Sequence, residues 1–200
     1  MILASNSPRR RMILDKLTDN YRIQVPTIDE EAVIRTYTFK EDCEKGLCVM
    51  ELALKKALDI ETTEDEMVVA ADSLVFYGDK FMGKPKDAED ARETLTFLAG
   101  KTHEVVTGVC ILEKDNRHFF YVTTEVEFYP YDHFYKTLVD EYIEEELHVG
   151  KAGSYGIQDK GSLFVKKITG DYYNVMGLPV VALRKIKELM LKSIEAVELK

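Results

Sequence analysis

The residue types best suited to chemistry fall within residues 68–85, VVAADSLVFYGDKFMGKP. A carboxylate, Asp72, and a hydroxyl, Ser73, interrupt an otherwise apolar run. An acid buried in a hydrophobic strand is costly unless it is paired or binds a metal. Asp72 therefore needs a cation. The nearest candidates are a divalent metal and Lys84, which stands on the stiff corner Gly83-Lys84-Pro85. The purely structural alternative is a strand-end aspartate that caps a turn, because ion pairs also form for structural reasons alone.

Five further stretches are candidates for the same chemistry. Ser5-Asn6-Ser7-Pro8-Arg9-Arg10 reads as a strand-to-helix junction, with Ser7 as N-cap and Pro8 at the first helical position. Free N–H groups at such a junction attract anions, and the Ser5 and Ser7 hydroxyls add donors. Arg9 and Arg10 would sit where the helix dipole disfavours cations, a placement that makes sense if an anion lies there. A Walker loop is absent. The triplet Asp29-Glu30-Glu31 could hold Mg²⁺ together with Asp72, although such a run alone is more often a solvated turn. Spacing makes Lys55-Lys56 a solvated pair with the option of facing a phosphate. In residues 150–158 glycines would let backbone approach a ligand, and Gln158 can read a base edge with a donor and an acceptor. The plain alternative is a flexible surface loop. Residues 170–175, GDYYNV, read as a polar turn.

No Ser-His-Asp or Cys-His set is evident, and the four histidines are too scattered for a zinc site. The set as a whole supports metal-assisted hydrolysis or transfer at a phosphate ester.

These residues need a scaffold, and the patterning supplies one. Residues 2–4, 21–25, 103–113, 119–129 and 163–168 read as strands, and residues 68–82 as a hairpin. Residues 41–60 form a long helix with Leu47, Met50, Leu54 and Leu58 on its apolar stripe. Asp87 and Asp132 open two more helices, and residues 180–194 a last one, with residues 170–179 as a loop before it. Strands and helices interleave, yet two hairpins are present. The expectation is an α/β protein with a mixed central sheet flanked by helices.

Composition narrows the function classes. A net charge of −9 argues against a general nucleic-acid binder but leaves room for a small anionic substrate held by a local basic cluster. No stretch approaches the ~18 apolar residues of a membrane span. Three cysteines, Cys43, Cys48 and Cys110, are an odd number and read as reduced thiols in a cytoplasmic protein.

LASNSPRR, VVAADSLVFYGDKFMGKP, HEVVTGV, GKAGSYGIQ and GDYYNVMGLP, in that order, resemble the motifs of the Maf (septum formation inhibitor) family. The resemblance runs through residues 2–189. It implies an inosine-triphosphate-pyrophosphatase-like α/β fold with a cleft between two lobes, formed by a single domain over residues 1–200. It also implies cleavage of nucleoside triphosphates to the monophosphate and pyrophosphate with a divalent cation, Mg²⁺ or Mn²⁺. The family is regarded as housecleaning enzymes and is linked to arrest of cell division, so a non-enzymatic, nucleotide-binding division regulator is the rival reading. A homodimer is left open.

Carried over by motif, the family's proton acceptor falls on Asp72, its phosphate-facing lysines on Lys56 and Lys84, and its second acid on Glu30. Asp72 and Glu30 would hold the metal, and Arg9, Ser73 and Gln158 are the specificity positions. Gln158 resembles the branch that takes dTTP and UTP, whereas the branch for 7-methyl-GTP has a glutamate there. The chain departs from the family pattern at Asn6, at Ser73 in place of threonine, and at Asp159-Lys160 where glycine is common.

Overall fold

In the computed structural model, which describes residues 1–63, 66–114 and 116–198, the apolar run around Asp72 is an inner strand of a mixed sheet. The elements follow in the order β1 (Ile2–Leu3), α1 (Pro8–Leu14), β2 (Arg22–Ile23), α2 (Glu30–Ile34), α3 (Asp42–Leu58), β3 (Val68–Tyr77) and β4 (Lys80–Met82). Then come α4 (Ala88–Leu98), β5 (Thr102–Glu113), β6 (Asn116–Phe128), α5 (His133–Glu144), β7 (Val165–Thr169), α6 (Tyr172–Met176) and α7 (Val180–Glu198). Two short 3-10 turns, Ala152–Ser154 and Lys160–Phe164, lie between α5 and β7.

The seven strands take the order β2-β1-β3-β5-β6-β7, with β4 also on β3. β1 runs parallel to β2 and β3, and the other pairs are antiparallel. The interleaved helices and the two hairpins therefore give the mixed sheet that the pattern implied.

Side chains alternate across β3. Val68, Ala70, Leu74 and Phe76 pack with residues of α3, whereas Val69, Ala71 and Val75 join a larger cluster with α1, α4, α5 and α7. Asp72 falls on the α3 face, between Ala70 and Leu74. Its neighbour across β5 is Gly108. A Cβ at Gly108 would collide with the Val49 backbone of α3, so the missing side chain is what lets the helix cross the sheet this closely.

The buried face of α3 differs from the expected stripe. Leu47 and Leu58 are 49% and 53% exposed, while Lys45, Cys48, Val49, Leu52, Ala53, Lys56 and Ala57 are buried. That set keeps the i, i+3, i+4, i+7 spacing of a core-facing helix, but two of its members are lysines. Lys45 pairs with Glu104 at 2.5 Å and Lys56 with two carboxylates, so both ammonium groups are satisfied inside the fold.

The acid run read as a solvated turn and part of the stretch read as a loop are short helices. Asp29 accepts from the Ala32 amide at 3.0 Å and starts α2, and Asp171 accepts from the Tyr173 amide at 2.8 Å and starts α6. The three cysteines are free thiols, as expected, and burial raises Cys48 to about 12 and Cys110 to about 11.

His103 makes the fold sensitive to acid. Its ring lies edge-on to Phe128, Nε2 bonds to the Tyr155 hydroxyl at 2.9 Å, and burial pushes its pKa down from 6.5 to about 3. The folded state thus keeps His103 neutral while the unfolded chain takes up a proton below pH 6.5. This contribution is fully present above pH 6.5 and shrinks as pH falls toward 3, by up to about 1.4 kcal/mol per pH unit. Urea midpoints at pH 7, 5.5 and 4.5 should fall more steeply for the wild type than for His103→Gln. Equal slopes would remove His103 from the account.

Candidate active site

The site forms where β3 outruns its neighbours. β1 pairs only with Val68 and Val69, and β4 only with Val75, Phe76 and Tyr77. Between them β3 is laddered to β5 alone, at the position of Asp72 and Ser73. The loop after β1 turns away here into Ser5 and Ser7. The opening continues into a cleft of about 1040 Å³, large enough for a nucleotide. Of the candidates named from the sequence, Ser5, Ser7, Arg9, Arg10, Glu30, Lys56, Asp72, Ser73, Lys84 and Gln158 line it, whereas Asp29 and Lys55 do not.

Asp72 is paired, but not with Lys84. Its Oδ1 accepts from Lys56 Nζ, and the two side chains are 8% and 7% exposed. Lys56 also reaches Glu30 Oε1 at 2.6 Å, and Lys84 reaches the other oxygen, Oε2, at 3.2 Å. Asp72, Lys56, Glu30 and Lys84 thus form one alternating chain of charge. Lys56 is not the solvated lysine that its spacing suggested. It lies seven residues after Val49 on the same helix face, and so arrives over the strand where α3 crosses it.

Only one member of the acid triplet enters this chain. Asp29 is occupied as the α2 cap, and Glu31 pairs at the surface with Arg35 at 2.5 Å. Glu30 is left to turn inward. Burial alone would raise its pKa, but Lys56 and then Lys84 outweigh burial and hold it below 4.5.

The arginines take different places. Arg10 is half-buried at the junction of three elements. Its Nε donates to the Gly177 carbonyl at 2.8 Å, Nη1 to Ser5 Oγ at 3.3 Å and Nη2 to Ser73 Oγ at 3.2 Å. Thr107 fixes Ser73 in turn at 2.9 Å, and itself donates to the Asn174 carbonyl. Burial lowers the pKa of Arg10 against the opposing pull of Asp72, and burial lowers Arg9 against Asp159. Ser7 Oγ caps α1 through the Arg10 amide at 3.4 Å, and Ser5 Oγ accepts from the Ser7 amide at 3.1 Å. Both hydroxyls accept from nitrogen and so keep a proton to donate. Six cations, Arg9, Arg10, Arg35, Lys56, Lys84 and Lys86, line the cleft against four acids, Glu30, Glu31, Asp72 and Asp90, which makes it locally basic in a chain of net charge −9.

The far wall is residues 150–158, in which Gly153, Ser154, Tyr155, Gly156 and Ile157 are buried. This is a packed wall rather than a surface loop. A Cβ on Gly156 would meet the Asp159 carboxylate, so the glycine makes room for that side chain to fold back beside Gln158. Asp159 bonds to Lys151, Tyr142 and the Gly161 amide. Sequence reasoning singled out neither Lys151 nor Tyr142. The one legible signal was a lysine at the head of a glycine-rich stretch.

The family model described as Maf-like protein matches residues 1–189. The chain belongs to the Maf family. This Maf chain is 43% identical, over 189 residues and 94% of either chain, to a dTTP/UTP pyrophosphatase of Bacillus cytotoxicus. It is 42% identical, over 190 residues and again 94% of either chain, to a dTTP/UTP pyrophosphatase of Bacillus cereus strain G9842. Among the described residues of this Maf chain, no helix is long and apolar enough to cross a membrane. Nor do three or more His, Cys, Asp or Glu residues gather as a metal cluster among them. Mg²⁺ does not require one, since it commonly binds through one or two carboxylates plus the phosphates of its substrate. Lys56 engages Asp72 through Oδ1 and Glu30 through Oε1. A two-carboxylate donor set of hard oxygens in a basic cleft fits that mode.

Proposed function

We propose that this Maf chain is a nucleoside triphosphate pyrophosphatase that hydrolyses dTTP and UTP to the monophosphate and pyrophosphate. One observation carries the reading: two carboxylates interleaved with two lysines face two arginines and a serine-capped turn across a single cleft. The names of the relatives support it, as does the amide of Gln158 at the opposite wall. The reading includes the two-lobed, inosine-triphosphate-pyrophosphatase-like form expected of the family, and a cytoplasmic setting.

In this reading Arg9, Arg10, Lys56 and Lys84 bind the triphosphate, and the Ser5 and Ser7 hydroxyls donate to its oxygens. Asp72 accepts a proton from the attacking water, which adds across the α–β anhydride bond. Pyrophosphate leaves, and Lys84, the most exposed member of the charge chain, offsets its growing charge. Asp72 and Glu30 would hold Mg²⁺ or Mn²⁺, which neutralises phosphate charge and polarises the phosphoryl oxygens when bound. Gln158 meets the base.

Pyrophosphate release across a panel of nucleoside triphosphates tests this reading. dTTP and UTP should be turned over faster than GTP and 7-methyl-GTP. Gln158→Glu, which sets a second carboxylate against Asp159 in place of the Nε2 donor, should cut kcat/KM for dTTP and UTP by about tenfold or more and leave the melting temperature near that of the wild type. Faster turnover of 7-methyl-GTP by the wild type would overturn the base assignment.

A further inference from the structure

Only one end of the Gln158 amide has a partner within the described fold, and this deepens the pyrophosphatase reading, on which it rests. Gln158 Nε2 faces Asp159 Oδ2 at 3.4 Å. The reverse orientation would set an amide oxygen against a carboxylate, two acceptors facing each other, so the carboxylate fixes which way the amide points. Gln158 Oε1, by contrast, is buried with no hydrogen-bond partner among the described residues. An unpaired buried acceptor is costly, and a bound ligand that donates to it recovers that cost.

Asp159 is itself held on both oxygens. Oδ1 accepts from the Gly161 amide at 2.9 Å and the Tyr142 hydroxyl at 3.2 Å, and Oδ2 accepts from Lys151 Nζ. Lys151 is buried, and Tyr142 also accepts from the Gly156 amide at 2.9 Å. The carboxylate that orients Gln158 is thus tied to α5 and to both sides of the wall.

We infer that Asp159, backed by Lys151 and Tyr142, is a specificity-determining positioning residue: it turns the Gln158 carbonyl oxygen toward the base and selects a base that donates from its ring N–H. In uracil and thymine the imino N3–H is the one ring donor, flanked by two carbonyl acceptors. Cytosine has an acceptor at N3, and its amino donor lies to one side. A site with an acceptor fixed in place binds the first pair in register and sets lone pair against lone pair with the second. Discrimination by a missing donor is strong because the group in the site stays unpaired. Glycine at position 159 would leave the amide free to turn, so Asp159 narrows base choice.

The test measures kcat/KM for UTP, CTP and 3-methyl-UTP with the full chain, wild type and Asp159→Gly, alongside thermal melts. The wild type should favour UTP over CTP by about tenfold or more and lose about a hundredfold on 3-methyl-UTP, which has no ring donor. In Asp159→Gly no side chain faces the Gln158 amide, so Gln158 can turn, and the UTP-to-CTP ratio should fall toward one while UTP itself changes only a few-fold. A purely structural role would lower both nucleotides together and keep their ratio, which overturns the inference. If the variant does not fold, the wild type decides: equal turnover of UTP and CTP, or undiminished turnover of 3-methyl-UTP, overturns the inference and leaves the pyrophosphatase reading standing. Failure of the wild type on both dTTP and UTP overturns the reading itself.

Discussion

Asp72→Asn should lower turnover of dTTP by about a hundred- to ten-thousand-fold with Mg²⁺ saturating, the range expected for loss of a general base. The substitution keeps the shape of the side chain and removes its capacity to take a proton. Lys56 retains its 2.6 Å pair with Glu30, so the ammonium is not stranded. The melting temperature should therefore move far less than activity does. Since Asp72 acts on the reacting water, kcat should carry most of the loss and KM little of it. Near-wild-type turnover of the Asn variant would remove Asp72 from the chemistry and return it to a structural ion pair.

Lys56→Met should harm both fold and function. The substitution leaves the buried Asp72 carboxylate without its ammonium and takes from Glu30 one of its two lysines. Breaking a buried pair from one side typically costs about 3–5 kcal/mol, because the remaining charge is uncompensated. The double variant Lys56→Met, Asp72→Asn should recover a large part of that stability while activity stays lost, since a neutral amide tolerates burial better than an unpaired carboxylate. Denaturant melts of the four proteins give the coupling directly. Additive losses across the cycle would mean that the two side chains do not act as a pair.

The pair also marks where local reading stops. Asp72 was legible as an acid misplaced in an apolar strand, because the cost of burying a carboxylate is the same in any fold. Its partner was not. Lys84 is nearer to Asp72 along the chain than Lys56 is, yet Lys56, sixteen residues before Asp72, is the one that reaches it. What decides is the crossing of α3 over the sheet at Gly108, a contact between backbones far apart in sequence. Once that crossing is set, helical periodicity carries Lys56 to the acid. The same non-local event turns the buried stripe of α3 away from Leu47 and Leu58. A lysine counts as polar until its carboxylate is in view, so no reading of the helix alone could have placed two of them in its buried face.

Other features needed no tertiary information. Ser7-Pro8 starts α1 because an N-cap hydroxyl and a preset proline φ act within one turn of helix. The mixed sheet followed from period-two runs and tight turns, which are likewise local. The acid triplet falls between the two cases. Its composition announced carboxylates, but only the geometry of α2 assigned one to a cap, one to solvent and one, Glu30, to the cleft. Gln158 was legible as an amide able to read a base, whereas the direction it faces depends on Asp159, Lys151 and Tyr142 meeting behind it. Sequence alone determined which groups are present and which of them burial would penalise. Tertiary structure decided which of them meet, because an ion pair or a hydrogen bond acts over a few ångströms that the chain closes only when helix, strand and wall have packed.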